Sequence, residues 1–180
     1  MITLIVSACS VKDELGQSAT AIPFLRSDGL YEYVDLNGKR ILDSIYEKAG
    51  PFKNGLAVVM KADREYFIDK SGKHVFDIRF DRVKSFKDGI ARIKLNGKWG
   101  CIDRQGKIIV AAEWDEIDEY AESLAPVKKN EMWGYISQTG NVVIAPKYEK
   151  AEGFKGGIAR VKLSGKEFFI DTKGREWRQQ

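Results

Sequence analysis

Histidine is nearly absent. His74 is the only one in 180 residues, at a place that Arg40, Ile108 and Val142 hold elsewhere in the chain, so it reads as an exposed strand residue. A zinc site would have to draw on cysteines and carboxylates instead. The two cysteines, Cys9 and Cys101, stand in unlike contexts, one in an apolar leader and one in a strand-like run, and nothing supports their pairing. Long apolar runs are missing too. With 43% apolar and 31% charged residues, charge interrupts the chain too often for a membrane-spanning helix, while large apolar side chains are too many for disorder. An excess of one charge is also lacking: 30 basic residues stand interspersed with 26 acidic ones, which leaves no footprint for nucleic acid. No Gly-rich phosphate loop, nucleophile elbow or Cys–His pair occurs. These absences argue against an enzyme and imply no metal or cofactor.

What is present is a repeat. Gly38, Gly72, Gly106, Gly140 and Gly174 follow one another at intervals of 34 residues, and so do Ala57, Ala91, Ala125 and Ala159. The same step links Phe52, Phe86, Tyr120 and Phe154, and again Tyr46, Phe80, Trp114 and Tyr148, so aromatic size persists while identity drifts. Such ladders arise when equivalent copies pack on one another in equivalent ways.

A period of this length also suits a helical repeat, but the local chemistry favours strands. Asp35-Leu-Asn-Gly38 recurs at Asp69, Asp103 and Asp171, and as Ser137-Gln-Thr-Gly140, a turn whose first side chain accepts backbone N–H groups and whose last residue is glycine. A second turn precedes it, clearest at Asn96-Gly97 and looser at Asp28-Gly29, Asn130-Glu131 and Ser164-Gly165. Two helices do not fit between breakers so closely spaced.

Between the turns each copy holds three short strands. The first runs Leu56–Met60, Ile90–Lys94, Leu124–Lys128 and Ile158–Lys162, and Pro126 suggests an outer position for it. The second passes through Trp99-Gly100-Cys101 and Trp133-Gly134-Tyr135, covered on both faces. The third is Arg40–Leu42, His74–Phe76, Ile108–Val110 and Val142–Ile144, followed by an irregular return. The expected fold is all-β: three-stranded antiparallel meanders in an elongated, twisted array, with a closed propeller-like ring as the alternative. Residues 20–180 hold about four and a half copies, 10–19 form a tether, and 1–9 read as the remnant of a lipoprotein signal.

The Trp-Gly dipeptides, the aromatic-aliphatic-Asp hairpin and the Gly-aliphatic-Ala strand resemble the WG-repeat, or KWG-repeat, family of bacterial proteins. Lys98-Trp99-Gly100 and Met132-Trp133-Gly134 match most directly, whereas Tyr31-Glu32, Glu65-Tyr66 and Glu167-Phe168 depart from the dipeptide. The resemblance implies repeats often placed at the cell envelope, with no common reaction.

Trp99 and Trp133 invite a stacking ligand, yet beside glycine in a strand they are expected to pack into the fold. Cys101 stands where Tyr33, Phe67 and Tyr135 stand and reads as core filler. Each turn aspartate offers a single carboxylate, too few oxygens for calcium. Glu113, Asp115, Glu116, Asp118, Glu119 and Glu122 form an acidic cluster for which the sequence shows no partner, expected as a solvated face.

The N-terminus is the exception to these structural readings. Val6-Ser7-Ala8-Cys9 resembles the end of a bacterial lipoprotein signal, which makes Cys9 the candidate lipidation site. Eight residues precede it, none basic, short of the usual positive segment, so an ordinary apolar lead-in is the alternative. The expected function is therefore a non-catalytic binding or structural module, its partner a protein, held at the envelope membrane by a lipid on Cys9. The alternatives are a cytoplasmic module and a carbohydrate-binding or hydrolytic protein using an inter-repeat groove.

Overall fold

A computed structural model describes residues 21–177, and every regular element in them is a strand. They fall into two compact units divided between Phe86 and Lys87. The first contains β1 (Ile22–Leu25), β2 (Tyr31–Val34), β3 (Lys48–Ala49), β4 (Ala57–Lys61), β5 (Arg64–Ile68) and β6 (Arg82–Val83). The second contains β7 (Ala91–Leu95), β8 (Lys98–Ile102), β9 (Ile108–Trp114), β10 (Glu116–Ile117), β11 (Leu124–Lys129), β12 (Met132–Ser137), β13 (Val142–Tyr148), β14 (Lys150–Ala151), β15 (Ile158–Leu163) and β16 (Lys166–Asp171). All pairing is antiparallel and joins neighbours in sequence: β1–β2 and β3–β4–β5 in the first unit, then β7–β8–β9, β10–β11–β12–β13 and β14–β15–β16 in the second. Among the described residues no sheet closes on itself.

The turns explain the meander. Between the first two strands of each copy, both central residues have positive φ, at Ala62-Asp63, Asn96-Gly97, Asn130-Glu131 and Ser164-Gly165. That geometry matches the strand twist and makes two-residue hairpins. The Asp28-Gly29 turn is longer, with Leu25 facing Tyr31 across it. The other hairpin turn is capped as its sequence suggested. Asp103 Oδ1 accepts from the N–H groups of Gln105 and Lys107 at 3.0 and 2.9 Å, and Gly106 N donates to the Asp103 carbonyl at 3.0 Å. Asp35, Asp69 and Asp171 repeat this arrangement. At Asp69 the Ser71 hydroxyl, together with the backbone N–H groups of Lys73 and Ser71, holds the carboxyl below its ordinary value.

Gly106 ends its turn at φ 80°. Valine there is expected to cost about 1–3 kcal/mol, because a β-branched side chain is strained in that region. Asparagine, which tolerates it better, should cost clearly less. Urea unfolding of the two variants measures the difference, and equal losses would remove the conformational explanation.

A third two-residue turn of positive φ escaped the sequence reading, at Asn54-Gly55, Asp88-Gly89, Glu122-Ser123 and Gly156-Gly157. It folds the return segment onto the strand that follows, through the bridges Lys53↔Leu56, Lys87↔Ile90, Ala121↔Leu124 and Lys155↔Ile158. The return is also less irregular than expected. Beyond β9 a single residue, Asp115, separates the chain from β10, which pairs with β11 of the next sheet; Glu149 has the same place between β13 and β14. One extended segment thus serves two sheets in succession. It also corrects the position of the first strand, which is paired on its outer side over a few residues. Pro126 is compatible with this because its carbonyl accepts from Asp118 N at 2.9 Å. Its missing N–H points the same way, and the ladder to β12 loses nothing.

Glycine after tryptophan has a steric role. Across β8, Trp99 faces Trp114 while Cys101 faces Val110, so β9 carries extra residues between two pairs and bulges over Gly100. A Cβ on Gly100 would stand 2.6 Å from the Val110 carbonyl oxygen, and one on Gly134 would stand 2.4 Å from that of Ile144. Where Glu32 and Tyr66 hold the same position, the third strand is reduced to the isolated bridges Tyr31↔Tyr46 and Val34↔Arg40, and Glu65↔Phe80 and Ile68↔His74. The dipeptide therefore decides whether the third strand runs unbroken.

The cores lie between successive sheets. Tyr33, Leu42 and Tyr46 pack with Phe52, Ala57, Val59 and Ile68, and Tyr135, Ile144 and Tyr148 pack in the same way with Phe154, Ala159, Val161 and Ile170. Turn glycines approach the preceding sheet, Gly72 at Leu42 and Gly174 at Ile144. Tyr33 and Tyr135 donate their buried hydroxyls to the carbonyls of Gly50 and Glu152 at 2.7 and 2.8 Å. Cys101 breaks that pattern. It is fully buried, as its role of core filler required, beside Tyr120, which donates to the Ser137 carbonyl at 3.1 Å. Burial pushes the Cys101 thiol up to about 11.

Candidate interaction surface

The hairpins set side chains in rows across each sheet. Lys94 faces Trp99, which faces Trp114; one repeat later Lys128 faces Trp133, which faces Tyr148. The Lys94 Nζ lies 5.8 Å from the Trp99 ring centre and the Lys128 Nζ 6.0 Å from that of Trp133, within cation–π range. Lys129 lies 5.3 Å from the Trp114 ring. Trp114 and Tyr148 are buried, but Trp99 and Trp133 are only half-buried. Each of the latter rests against a core cluster, with a lysine ammonium over its ring. The packing expected of the two indoles is thus partial.

The row changes from sheet to sheet. It reads Met60, Glu65 and Phe80 in the first unit, and Lys162 opposite Glu167 on β15 and β16. A constant backbone thereby presents different chemistry at each step. Nothing in the sequence marked Lys94 and Trp99 as a pair, although Asn96-Gly97 contains the information. A two-residue turn places Leu95 opposite Lys98, and therefore Lys94 opposite Trp99.

The acidic cluster is not the unpartnered face that was expected. Glu113 pairs with Lys129 at 2.9 Å, Glu116 with Lys128 at 3.4 Å, and Asp118 with Arg92 at 3.7 Å. Glu119 meets Lys87 at 2.8 Å and Arg92 at 3.4 Å. Asp115 pairs with Lys98 and accepts from Asn130 N at 2.8 Å. Glu122 accepts from the N–H groups of Gly156 and Gly157 at 2.6 and 2.8 Å, which ties one return turn to the next. The Lys98 ammonium holds the Asp115 carboxyl below its ordinary value, and Lys87 does the same to Glu119. These partners come from other strands and turns, 12 to 35 residues away, which is why the local sequence does not show them. Such exposed pairs each contribute little to stability; they fix register and satisfy backbone donors.

His74 is exposed, as expected, and stacks on Tyr66 with ring centres 4.4 Å apart. Among the described residues no group of three or more histidines, cysteines and carboxylates converges as a metal site. Cys9, the signal remnant at 1–9 and the tether at 10–19 lie outside the described residues.

The sequence profile of the family described as WG containing repeat matches four successive stretches, residues 33–64, 67–99, 99–133 and 133–166. The chain belongs to that family. The stretches 33–64 and 67–99 begin directly after Tyr31-Glu32 and Glu65-Tyr66, where the dipeptide has drifted, so these copies too match as WG repeats. In fold, the WG-repeat chain is similar to BamB from Moraxella catarrhalis, at a TM-score of 0.52 and 14% identity, covering 90% of this chain and 58% of that one. It is also similar to Hsv2 of Kluyveromyces lactis, at 0.53 and 13%, covering 86% of this chain and 59% of that one. The chain thus spans less than two thirds of the length of either, and the likeness is one of fold. No curated protein matches the WG-repeat chain significantly.

Proposed function

We propose that this WG-repeat chain is a non-catalytic binding module for another protein, acting at the bacterial cell envelope through a lipid on Cys9. The observation that carries the binding reading is the cross-strand row. An indole and an ammonium stand together at Lys94–Trp99 and Lys128–Trp133, while the equivalent places hold Met60–Glu65 and Lys162–Glu167. Selection for catalysis concentrates unlike residues at one place, whereas a repeat used for recognition varies its surface copy by copy. Half-buried tryptophan beside a basic side chain is typical of residues that contribute most to protein interfaces.

A photoreactive residue at exposed Met132, introduced in the native host, should give a discrete adduct larger by the mass of one protein. The adduct should disappear when Trp99 and Trp133 are both changed to alanine. If soluble oligosaccharides quench the tryptophan fluorescence of the unaltered chain and no protein adduct forms, the carbohydrate alternative replaces this reading.

Lipid attachment would make residues 10–19 a spacer between the membrane and the repeats. One acyl chain anchors only marginally, while several together anchor stably. The chain expressed from its native upstream sequence should therefore stay with membranes through a high-salt wash and gain the mass of its lipid. Cys9→Ser should be soluble and unmodified. Both forms soluble, with an intact N-terminus, would leave a cytoplasmic module.

A further inference from the structure

Two positions of the repeat are buried wherever one sheet stacks on the next. On the middle strand, Tyr33, Phe67, Cys101 and Tyr135 are at most 2% exposed, yet Phe169 is 43% exposed. On the preceding strand, Val59, Ile93, Val127 and Val161 are at most 1% exposed, yet Phe24, which stands opposite Glu32 on β1 as Val59 stands opposite Tyr66, is 51% exposed. These two positions are partners. One core cluster joins Tyr33 to Ala57 and Val59 of the following sheet, and another joins Tyr135 to Ala159 and Val161. Phe169 and Phe24 are therefore the two opposite halves of a single recurring interface, each open to solvent.

Phe169 lies in a larger apolar surface, where Trp177, 42% exposed, meets it edge-on with ring centres 6.4 Å apart. Large apolar side chains grouped in this way mark contact surfaces. The occupant is indicated by the fold itself, because the surfaces equivalent to that around Phe169, at Tyr33 and at Tyr135, each receive a strand with valine at the place that Phe24 holds on β1.

We propose that the protein associates head to tail with a second copy of itself, the Phe169–Trp177 surface of one copy receiving β1 of the next through Phe24. The two surfaces differ, so the contact is heterologous. It propagates into open chains, or closes into a ring if the rotation between copies allows. The proposal is independent of the partner suggested above, which would meet the cross-strand rows.

Complementation between variants tests it, using the full chain in sedimentation equilibrium up to about 1 mM, where even weak pairs populate. The unaltered protein should gain mass with concentration, beyond a dimer. Phe169→Ser and Phe24→Ser should each remain monomeric. Mixed in equal amounts they should form a one-to-one dimer that grows no further, because the first variant keeps its Phe24 surface and the second its Phe169 surface. Phe169→Lys repeats the test with a bulkier polar residue, and circular dichroism confirms that each variant is folded. An unaltered chain that stays monomeric overturns the proposal. So does association that survives both single substitutions, or a mixture that fails to pair.

Discussion

Valine in place of Gly134 is expected to lower the unfolding free energy by about 3 kcal/mol, near the upper end of what overpacking costs. At roughly 2–4 °C per kcal/mol for a chain of this length, the melting temperature should fall by about 6–12 °C. The cause is contact rather than conformation, since Gly134 is not among the residues of positive φ. Its Cβ would stand 2.4 Å from the Ile144 carbonyl oxygen and 2.6 Å from Pro146 N, and both obstacles are backbone. Either β13 separates from β12 at its middle, or β12 shifts away from the core behind it. The first outcome already has a precedent in the chain, where Glu32 and Tyr66 leave only the two end bridges of the third strand. Faster amide exchange should therefore appear across the middle of β13, with its ends at the Tyr148 and Val142 pairings retained. Alanine should cost nearly as much as valine, and asparagine no less, in contrast to Gly106. A loss below about 1 kcal/mol would mean that the bulge yields easily and that the Trp-Gly dipeptide has some other role.

Cys101→Tyr is expected to cost about 2–3 kcal/mol, although tyrosine occupies the same place in two sister repeats. The reason lies in its neighbours. Where Tyr33 and Phe67 occur, they meet Phe52 and Phe86 with ring centres 5.0 and 4.9 Å apart, and Tyr46 and Phe80 complete the groups. In the repeat with Cys101, the largest aromatic, Trp114, has taken the place of Tyr46, and both residues belong to one core cluster. The small thiol side chain and the large indole compensate for each other. Trp114→Tyr alone should also destabilise, because it leaves part of a core volume empty. The two substitutions together should cost less than their sum by about 1 kcal/mol or more, as expected of residues that share one space. Urea unfolding of the four proteins gives the coupling directly. Additive losses would show that the two sites are independent and that the size exchange between them is coincidence.

The compensation also indicates how far a repeat can be read from its sequence. Cys101 was identifiable as core filler because Tyr33, Phe67 and Tyr135 hold its repeat position. What it packs against was not, because Trp114 and Tyr120 reach it from the third strand and the return segment. The tryptophans show the same boundary. Glycine beside them marked a close approach, but whether another backbone or a ring made that approach depended on the bulge of β9 and β13. The acidic cluster was misread for a related reason. Six carboxylates within ten positions look unpartnered in sequence, while Lys87, Arg92, Lys98, Lys128 and Lys129 come to them from other strands.

The sequence by itself determined the period, the β class, two of the three turns and the residues that form the cores. Each of these is a local requirement, since positive φ calls for glycine or asparagine, a strand alternates its faces, and stacked copies impose the same size at the same phase. Only the tertiary structure decided that one extended segment serves two successive sheets, that Gly100 and Gly134 keep the third strand whole, and that each clustered carboxylate has a partner. It alone showed Phe169 and Phe24 open where their counterparts are closed, because burial is a property of what stacks on a residue, and a 34-residue period repeats the residue without repeating its neighbour.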